Sequence, residues 1–244
     1  MIETHELEKS FGEVRAVRGV SFRATDGAIT GLLGPNGAGK TTTLRMLYSL
    51  LPPDGGSMRI DGLDPVADPL AVKRRLGVVP DARGLYGRLT ARENIAYFGK
   101  LHGLRGARLG ARIEELVELL DLGEIIERRT EGFSQGQRVK VSVARALVHG
   151  PQTVLLDEPS NGLDVMSTRA LRQFLRQLRD AGHSVVLSTH IMQEVAALCD
   201  QIVIIAHGRV AARGTRQQLL DTSGRDSLED AFVELIGSEE GLLA

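Results

Sequence analysis

The stretch Gly34-Pro35-Asn36-Gly37-Ala38-Gly39-Lys40-Thr41 decides the predicted fold, because it lies between a predicted strand and a predicted helix. It follows the apolar run Ile29–Leu33, and residues 52–56 (Pro-Pro-Asp-Gly-Gly) predict the end of the helix. A glycine-rich turn in this setting lets backbone N–H groups surround an anion, and the helix N-terminus adds partial positive charge. Lys40 can reach the β- and γ-phosphates of a nucleotide, and the Thr41 hydroxyl group can bind Mg²⁺. The stretch therefore predicts a nucleotide-binding phosphate loop.

A second candidate segment, Thr153-Val154-Leu155-Leu156-Asp157-Glu158, is an apolar run that ends in two acids. The apolar residues predict a central parallel strand, which delivers the acids to the carboxyl edge of the sheet, where ligands bind. There Asp157 is placed to hold Mg²⁺, directly or through water, and Glu158 is placed to polarise an attacking water molecule. Two acids at a strand end can also be an ordinary solvated terminus. Their occurrence together with a phosphate loop favours the chemical interpretation.

Ser134 begins a third segment of interest. Apolar residues at positions 139, 143, 146 and 147 follow it at helical spacing, and Gly150-Pro151 closes the helix. Ser134 and Gln137 have the spacing of a capping box, which makes an ordinary helix start. The alternative is that this helix N-terminus, with Ser134 and Gly136, binds the γ-phosphate of a nucleotide. The local pattern alone favours the capping box.

With these segments the chain resembles the ATP-binding cassette (ABC) family. The phosphate loop is similar to the Walker A motif of that family, and the acid-terminated strand is similar to its Walker B motif. Phe133-Ser134-Gln135-Gly136-Gln137 resembles the family signature, which is usually Leu-Ser-Gly-Gly-Gln. Here Phe133 replaces the leucine and Gln135 replaces the first glycine.

Three further elements carry the same resemblance. Ser160-Asn161-Gly162-Leu163-Asp164 resembles the D-loop, His190 resembles the switch histidine, and Phe11 stands where the family has an aromatic residue that stacks on adenine. The order and spacing of all six elements fit the family over about residues 1–220.

The resemblance implies an ATPase with an α/β fold: a P-loop NTPase (RecA-like) core with an antiparallel β subdomain and an inserted all-helical signature subdomain. It implies a homodimer of cassettes that binds ATP and Mg²⁺ and drives an integral membrane permease. Glu158 would orient the water, and His190 would contact the γ-phosphate. The implied ATP-binding residues are Phe11, Gly34, Pro35, Asn36, Gly37, Ala38, Gly39, Lys40, Thr41 and Thr42. The implied contacts from the second chain are Ser134, Gln135, Gly136 and Gln137, with Asp164 in the D-loop.

A finer resemblance is to the NatA-type subgroup, the ATPase subunits of sodium-extruding transporters. It is carried by residues 80–94, by the signature and by residues 161–168. It implies sodium export, with export of a drug, lipid or polysaccharide as the alternative. Asp81 departs from the wider family, which usually has a glutamine that touches Mg²⁺ and water. A carboxylate is a good ligand for a hard cation, so Asp81 joins Thr41 and Asp157 as a candidate metal ligand; the alternative is that Asp81 caps a turn.

Whole-chain properties agree with this interpretation. The 244 residues suit one α/β domain with an inserted subdomain, and a formal charge of −1 argues against a nucleic-acid-binding protein. Cys199 is the single cysteine, which excludes an internal disulfide. No apolar run approaches the roughly 20 residues of a membrane helix, and the first residues lack the character of a signal peptide. These features predict a cytoplasmic protein, peripheral on the inner face of the cell membrane through the permease.

The element pattern predicts a single ATPase domain over residues 1–222, with a helical subdomain at residues 84–149 and a short C-terminal helix and tail at residues 223–244. Strands are expected at residues 2–7, 14–22, 29–33, 76–79, 154–156, 184–188, 201–206 and 209–212. In the helical part, Thr90 and Glu93 predict a capping box, and residues 103–110 predict a basic, glycine-rich break. Residues 238–244 are expected to be loose.

Three functional classes compete for this chain. The first, which the motifs favour, is a transporter ATPase subunit. The second is a non-transport cassette that acts on nucleic acid or ribosomes, but such relatives usually have long coiled coils or two cassettes, and this sequence has neither. The third is an ordinary P-loop kinase or GTPase, which leaves the signature and the D-loop unexplained.

Overall fold

The computed structural model describes residues 1–81 and 84–237. Within these ranges the strands are β1 (Ile2–Phe11), β2 (Val14–Val20), β3 (Arg23–Ala24), β4 (Ile29–Leu33), β5 (Gly55–Ile60), β6 (Leu76–Val79), β7 (Thr153–Asp157), β8 (Ser184–Thr189), β9 (Gln201–Ala206) and β10 (Arg209–Gly214). The helices are α1 (Lys40–Leu47), α2 (Pro69–Arg75), α3 (Ala91–Leu101), α4 (Gly106–Leu119), α5 (Gln135–Leu147), α6 (Val165–Asp180), α7 (Met192–Leu198), α8 (Arg216–Ser223) and α9 (Leu228–Ile236).

The larger sheet forms the centre of the fold. Its strand order is β10-β9-β4-β8-β7-β6, and its neighbours are parallel except for the antiparallel pair β10 and β9. Every residue of β4, β7 and β8 is buried, as expected for strands covered on both faces. Leu155 of β7 belongs to the apolar cluster that includes Leu44 of α1, whereas Leu156 belongs to the cluster of Phe174 on α6. The carboxyl ends of these strands therefore share one edge between two apolar layers.

The smaller sheet is antiparallel and is built around β1, which pairs with β2, β3 and β5. The sequence-based assignment misses β5, because the strand begins with Gly55 and Gly56 and glycine is depleted in strands. A Cβ atom on Gly56 would stand 2.1 Å from the carbonyl oxygen of Glu6, and its φ of +80° is in the left-handed region. Gly56 therefore marks a close approach of β5 to β1, next to an irregularity in their register.

Helices α3, α4 and α5 lie between β6 and β7 in the chain and share the apolar cluster of α6. The predicted capping box of α3 is present: the Thr90 hydroxyl accepts from the Glu93 N–H at 3.1 Å, and the Glu93 carboxylate accepts from the Thr90 N–H at 2.8 Å. The limits proposed for the ATPase domain, for the helical subdomain and for the C-terminal segment stay predictions.

The predicted break at residues 103–110 is wrong in its second half, because α4 already begins at Gly106. The buried stripe of this helix starts early, with Leu109, Ile113 and Leu116 at helical spacing. Their packing outweighs the free-energy cost of a glycine inside a helix, about 1 kcal/mol for Gly110.

The C-terminal part packs on the outer strands of the larger sheet. Leu219 of α8 and Phe232 of α9 share a cluster with Ile202 and Ile204 of β9. Helix α9 is the predicted C-terminal helix, whereas α2, α7 and α8 were not assigned from the sequence. The expectation of a loose tail at residues 238–244 lies outside the described residues. Among the helices that the structure describes, none combines the length and apolar character required to span a membrane.

Asn94 of α3 holds the described residues that directly precede this helix. Its side chain is fully buried, its amide oxygen accepts from the Tyr86 N–H at 2.9 Å, and its amide nitrogen donates to the carbonyl oxygens of Tyr86 at 3.2 Å and Thr90 at 2.9 Å. The Thr130 hydroxyl donates to the same Tyr86 carbonyl at 3.0 Å. Asn94 therefore fixes the backbone at Tyr86 relative to the start of α3.

Replacing Asn94 with alanine should lower the free energy of unfolding by about 2 kcal/mol, because it leaves buried backbone groups without partners. Urea denaturation followed by circular dichroism measures the change. Lys100→Ala, on the exposed side of the same helix, is the control and should change stability by less than about 0.5 kcal/mol. Equal effects of the two substitutions would contradict this role of Asn94.

Candidate nucleotide site

The phosphate loop leaves the carboxyl end of β4 and leads into α1. The Lys40 side chain is buried, and its ammonium group donates to the carbonyl oxygens of Gly34 at 2.7 Å and Pro35 at 3.0 Å. A Cβ atom on Gly34 would stand 2.1 Å from the carbonyl oxygen of Ile205 in β9, so only glycine fits there. The loop is thus packed tightly on the sheet and holds the Lys40 cation inside its curve.

Asp157, the last residue of β7, is almost fully buried. One of its carboxylate oxygens, Oδ1, accepts hydrogen bonds from the Thr41 hydroxyl at 2.9 Å and from the Ser188 hydroxyl at 2.6 Å. These donors come from α1 and from β8, the strand that pairs with β7. The predicted pair Thr41 and Asp157 therefore lies together, with oxygen atoms of the kind that a hard cation prefers.

Glu158 follows Asp157 and has a φ of +46°, a left-handed conformation that is uncommon for any residue other than glycine. Its N–H donates to the hydroxyl of Ser188 at 3.1 Å and to the carbonyl oxygen of Ser188 at 3.2 Å, which holds this conformation. Its carboxylate lies between two predicted site residues: Oε1 is 3.4 Å from Lys40 Nζ, and Oε2 is 2.9 Å from His190 Nδ1. Glu158 and His190 are therefore in direct contact.

These side chains open onto a cavity of about 510 Å³, a volume in the range of small-molecule sites. The cavity contains the predicted adenine-stacking residue at its rim, since the Phe11 side chain is 49% exposed. It also contains Asp81, beside the residues of the phosphate loop. The lining residues are Phe11, Ala16, Asn36, Gly37, Ala38, Gly39, Lys40, Thr41, Thr42, Asp81, Glu158, Asn161 and His190.

The signature residues lie outside the lining of this cavity. Ser134 caps α5 in a capping box with Gln137: the Ser134 hydroxyl accepts from the Gln137 N–H at 3.2 Å, and the Gln137 amide oxygen accepts from the Ser134 N–H at 3.0 Å. Gln135 lines a neighbouring cavity of about 310 Å³ together with Asp81. Ser134 and Gln137 are not among the residues that line either cavity.

The signature segment is joined to the predicted D-loop. A Cβ atom on Gly136 would stand 2.5 Å from the Ser167 hydroxyl oxygen, so the starts of α5 and α6 approach closely there. Asp164 caps α6 by accepting from the N–H of Ser167 at 2.7 Å and from its hydroxyl at 3.0 Å. These hydrogen bonds lower the pKa of the Asp164 carboxyl group below its usual value.

Ser188 is a site residue that sequence reasoning missed. It lies in the predicted strand, but the sequence does not show that Ser188 pairs with Asp157 between neighbouring parallel strands. Only that register places its hydroxyl between the Asp157 carboxylate and the Glu158 backbone.

A phosphate loop at the end of a parallel strand, with an acid pair on a neighbouring part of the same sheet edge, defines a P-loop nucleotide-hydrolysing protein. Residues 17–161 match the family model of the ABC transporter. The chain belongs to the ABC transporter family, and it is an ATP-binding subunit with ATPase activity.

Three ATP-binding proteins of this family are similar in sequence to this chain and differ in the roles that their names state. It is 45% identical over 221 residues to the ABC transporter ATP-binding protein NatA of Bacillus subtilis, covering 90% of each chain. It is 40% identical to the daunorubicin/doxorubicin resistance ATP-binding protein DrrA of Streptomyces peucetius, covering 93% of this chain and 69% of that protein. It is 39% identical to the Nod factor export ATP-binding protein I of Paraburkholderia xenovorans, covering 93% and 75%.

Solved structures confirm the predicted fold class. The structure of an ATP-binding subunit of an ABC transporter superposes with a TM-score of 0.88 at 29% identity, covering 97% of this chain and all of the other. The dimeric structure of a bacterial ABC transporter cassette gives a TM-score of 0.79 at 27% identity, covering 88% and 98%. The fold is therefore that of an ABC ATPase domain.

Replacing Ser188 with alanine should lower ATPase turnover about tenfold, because it removes the hydroxyl that orients both Asp157 and the Glu158 backbone. Ser184→Ala is a matched control in the same buried strand, since the Ser184 hydroxyl has no hydrogen-bond partner among the described residues. Steady-state phosphate release at saturating ATP measures both variants. Equal turnover of the two would contradict the role given to Ser188.

Proposed function

We propose that this chain is the ATP-hydrolysing subunit of an ABC exporter, in which two copies close around two ATP molecules and drive a separate membrane permease. The division of the site carries the proposal. Lys40, Glu158 and His190 face one cavity, whereas Ser134 lies outside the lining of that cavity. A second copy, facing the first head to tail, would supply the Ser134 end of α5, where a helix N-terminus suits a γ-phosphate. The same architecture would place the chain at the cytoplasmic face of the membrane.

Exposed apolar residues beside the D-loop support the dimer. Val165 and Met166, at the start of α6, are 82% and 71% exposed. They follow Asp164 directly, and Gly136 of the signature lies against the same helix start. A second copy that contacts the signature would therefore also cover this apolar pair. Among the solved relatives, one cassette is described as dimeric.

The geometry suggests a role for each side chain during hydrolysis. Lys40 neutralises the β- and γ-phosphates, Glu158 orients and polarises the attacking water, and His190 contacts the γ-phosphate. The 2.9 Å contact between His190 and Glu158 lets each side chain fix the other. Phosphoryl transfer depends mainly on such positioning and charge neutralisation. Loss of the bridging γ-phosphate would release the Ser134 side of the second copy and open the dimer.

Mg²⁺ fits the oxygen atoms of Thr41 and Asp157. Within the described residues no group of three or more His, Cys, Asp or Glu side chains could hold a metal, so the ion would take most of its ligands from phosphate and water. When bound, Mg²⁺ neutralises negative charge on the phosphates. The shared contact of Thr41 and Asp157 holds both ligands at the start of the phosphate-binding helix.

We place Asp81 beside the metal and the attacking water, because it lines the cavity of Lys40 and Glu158. A carboxylate there adds negative charge and should reach the metal through water. Asp81→Asn and Asp81→Gln should therefore shift the Mg²⁺ concentration that gives half-maximal ATPase activity, and should alter stimulation by the permease. Superimposable Mg²⁺ titrations of these variants and the wild type would leave Asp81 as a turn residue.

An exposed aromatic surface next to Asp81 in the chain suits the permease. Tyr86 and Tyr97 meet edge to face at 5.5 Å between ring centroids and are 48% and 43% exposed. Leu101, one helical turn after Tyr97, is 65% exposed. Asn94 fixes the backbone of Tyr86, so a permease segment bound here would act on a fixed part of the helical segment.

The proposed cargo is the sodium ion, which rests on the NatA-type resemblance and on 45% identity to NatA. A drug-like cargo is the second candidate, because the chain is also 40% identical to a daunorubicin/doxorubicin resistance protein. Inside-out membrane vesicles that contain the chain and its permease can separate the two. ATP-dependent uptake of radioactive sodium supports the first, and uptake of daunorubicin supports the second. Vesicles with Lys40→Ala are the control, and uptake of neither cargo would contradict both assignments.

Glu158→Gln should trap the closed dimer, because it keeps the shape of the side chain but removes the base and a negative charge near the γ-phosphate. Light scattering after size exclusion, with ATP and Mg²⁺, should give a dimer for this variant and mainly a monomer for the wild type. Combining it with Lys40→Ala should restore the monomer. A monomeric Glu158→Gln protein at saturating ATP would count against the divided site.

A further inference from the structure

Glu194 of α7 is a buried carboxylate placed between two loops of the nucleotide site. Its side chain is only 5% exposed. Its Oε2 atom accepts hydrogen bonds from the Ser160 hydroxyl at 2.6 Å and from the Thr189 hydroxyl at 3.2 Å. A buried charged group is costly unless it is hydrogen-bonded, so these two contacts tie the loops of Ser160 and Thr189 firmly to one atom.

The first loop carries Glu158. Ser160 follows it by two residues, and the Asn161 N–H donates to the Glu158 carbonyl oxygen at 3.2 Å. The Leu163 N–H donates to the Ser160 carbonyl oxygen at 3.0 Å. The segment therefore forms a compact turn after Glu158, and the Ser160 hydroxyl fastens that turn to Glu194.

The second loop carries His190. The Thr189 hydroxyl donates to Glu194 and accepts from the Ile191 N–H at 3.0 Å, so it closes the backbone on both sides of His190. The Thr189 carbonyl oxygen also accepts from the N–H of Gly34, the first residue of the phosphate loop, at 3.4 Å. Glu158 and His190 contact each other at 2.9 Å. Glu194 is thus hydrogen-bonded to the chain segments that carry both of these residues.

We propose that Glu194 is a positioning residue for hydrolysis, which acts by setting the distance between Glu158 and His190. The inference rests on the roles proposed above for these two residues. Loss of the carboxylate would free the Ser160 and Thr189 hydroxyls and loosen both loops, whereas the phosphate loop would keep its own contacts to Lys40. Turnover should therefore fall while ATP affinity is kept.

The test compares Glu194→Ala, Ser160→Ala and the conservative Glu194→Gln in the full chain, with Leu198→Ala as a packing control on the same helix. Glu194→Ala and Ser160→Ala should each lower kcat about tenfold and change KM for ATP by less than about threefold. Glu194→Gln should retain most of the activity, because its amide oxygen can accept from both hydroxyls. Leu198→Ala should lower the melting temperature and leave kcat unchanged.

A spectroscopic measurement reports on the geometry without relying on turnover. The imidazole NMR signals of His190, assigned by their loss in His190→Ala, should shift in Glu194→Ala and Ser160→Ala but not in Leu198→Ala. A Glu194→Ala protein with wild-type kcat and wild-type His190 signals would overturn the inference, even if it melts earlier. Glu158→Gln and His190→Ala are measured beside it: if they leave kcat unchanged, the roles proposed for Glu158 and His190 are wrong instead.

Discussion

The nucleotide site depends on one buried carboxylate, that of Asp157. The hydroxyls of Thr41 and Ser188 donate to the same oxygen of this side chain, at 2.9 and 2.6 Å. Thr41 lies in the first turn of the phosphate-binding helix and Ser188 lies next to the last residue of a neighbouring strand, so the carboxylate joins three elements that the parallel sheet brings to one edge. The hydroxyls satisfy a charge that would otherwise be costly to bury, and the charge in turn fixes the ends of two elements.

Glu158 extends this network to the cavity. Its left-handed backbone is an uncommon conformation that persists because Ser188 accepts from its N–H with both its hydroxyl and its carbonyl oxygen. Strain of this kind is concentrated at functional sites, where the surrounding structure holds it in place. Here it turns the carboxylate between the Lys40 ammonium group and the His190 ring. Ser188 thus holds both Asp157, a candidate metal ligand, and Glu158, the candidate base.

The sequence predicts those parts of the fold that are determined by short motifs of neighbouring residues. The phosphate loop needs glycines where backbone approaches the sheet, and Gly34 shows that need directly against Ile205. Capping boxes are similarly local, and those of Thr90 and Ser134 are present as expected. The family resemblance, confirmed by the comparisons, adds the order of the motifs and the fold class.

What the sequence does not predict depends on contacts between distant segments. Strand β5 is stabilised by its pairing with β1, and it is not recognised in the sequence because it begins with two glycines. Helix α4 begins at Gly106 because Leu109 is packed, not because glycine favours a helix. Ser188 lies beside Asp157 because of the register between β7 and β8. Glu194 contacts the site because α7 packs against two loops. Neither position has a local sequence pattern that marks it.

Completion of the site by a second chain is tested most directly by cross-linking. Two separately tagged chains carry Ser134→Cys and Asn36→Cys in the Glu158→Gln background. The native Cys199 is partly buried, and burial raises the pKa of its thiol, so it should react slowly with a short thiol reagent. The account predicts that ATP and Mg²⁺ give a cross-link between the two tags, and that Lys40→Ala in both chains abolishes it. A single chain with both cysteines that cross-links internally instead, without the cross-link between tags, would contradict the divided site.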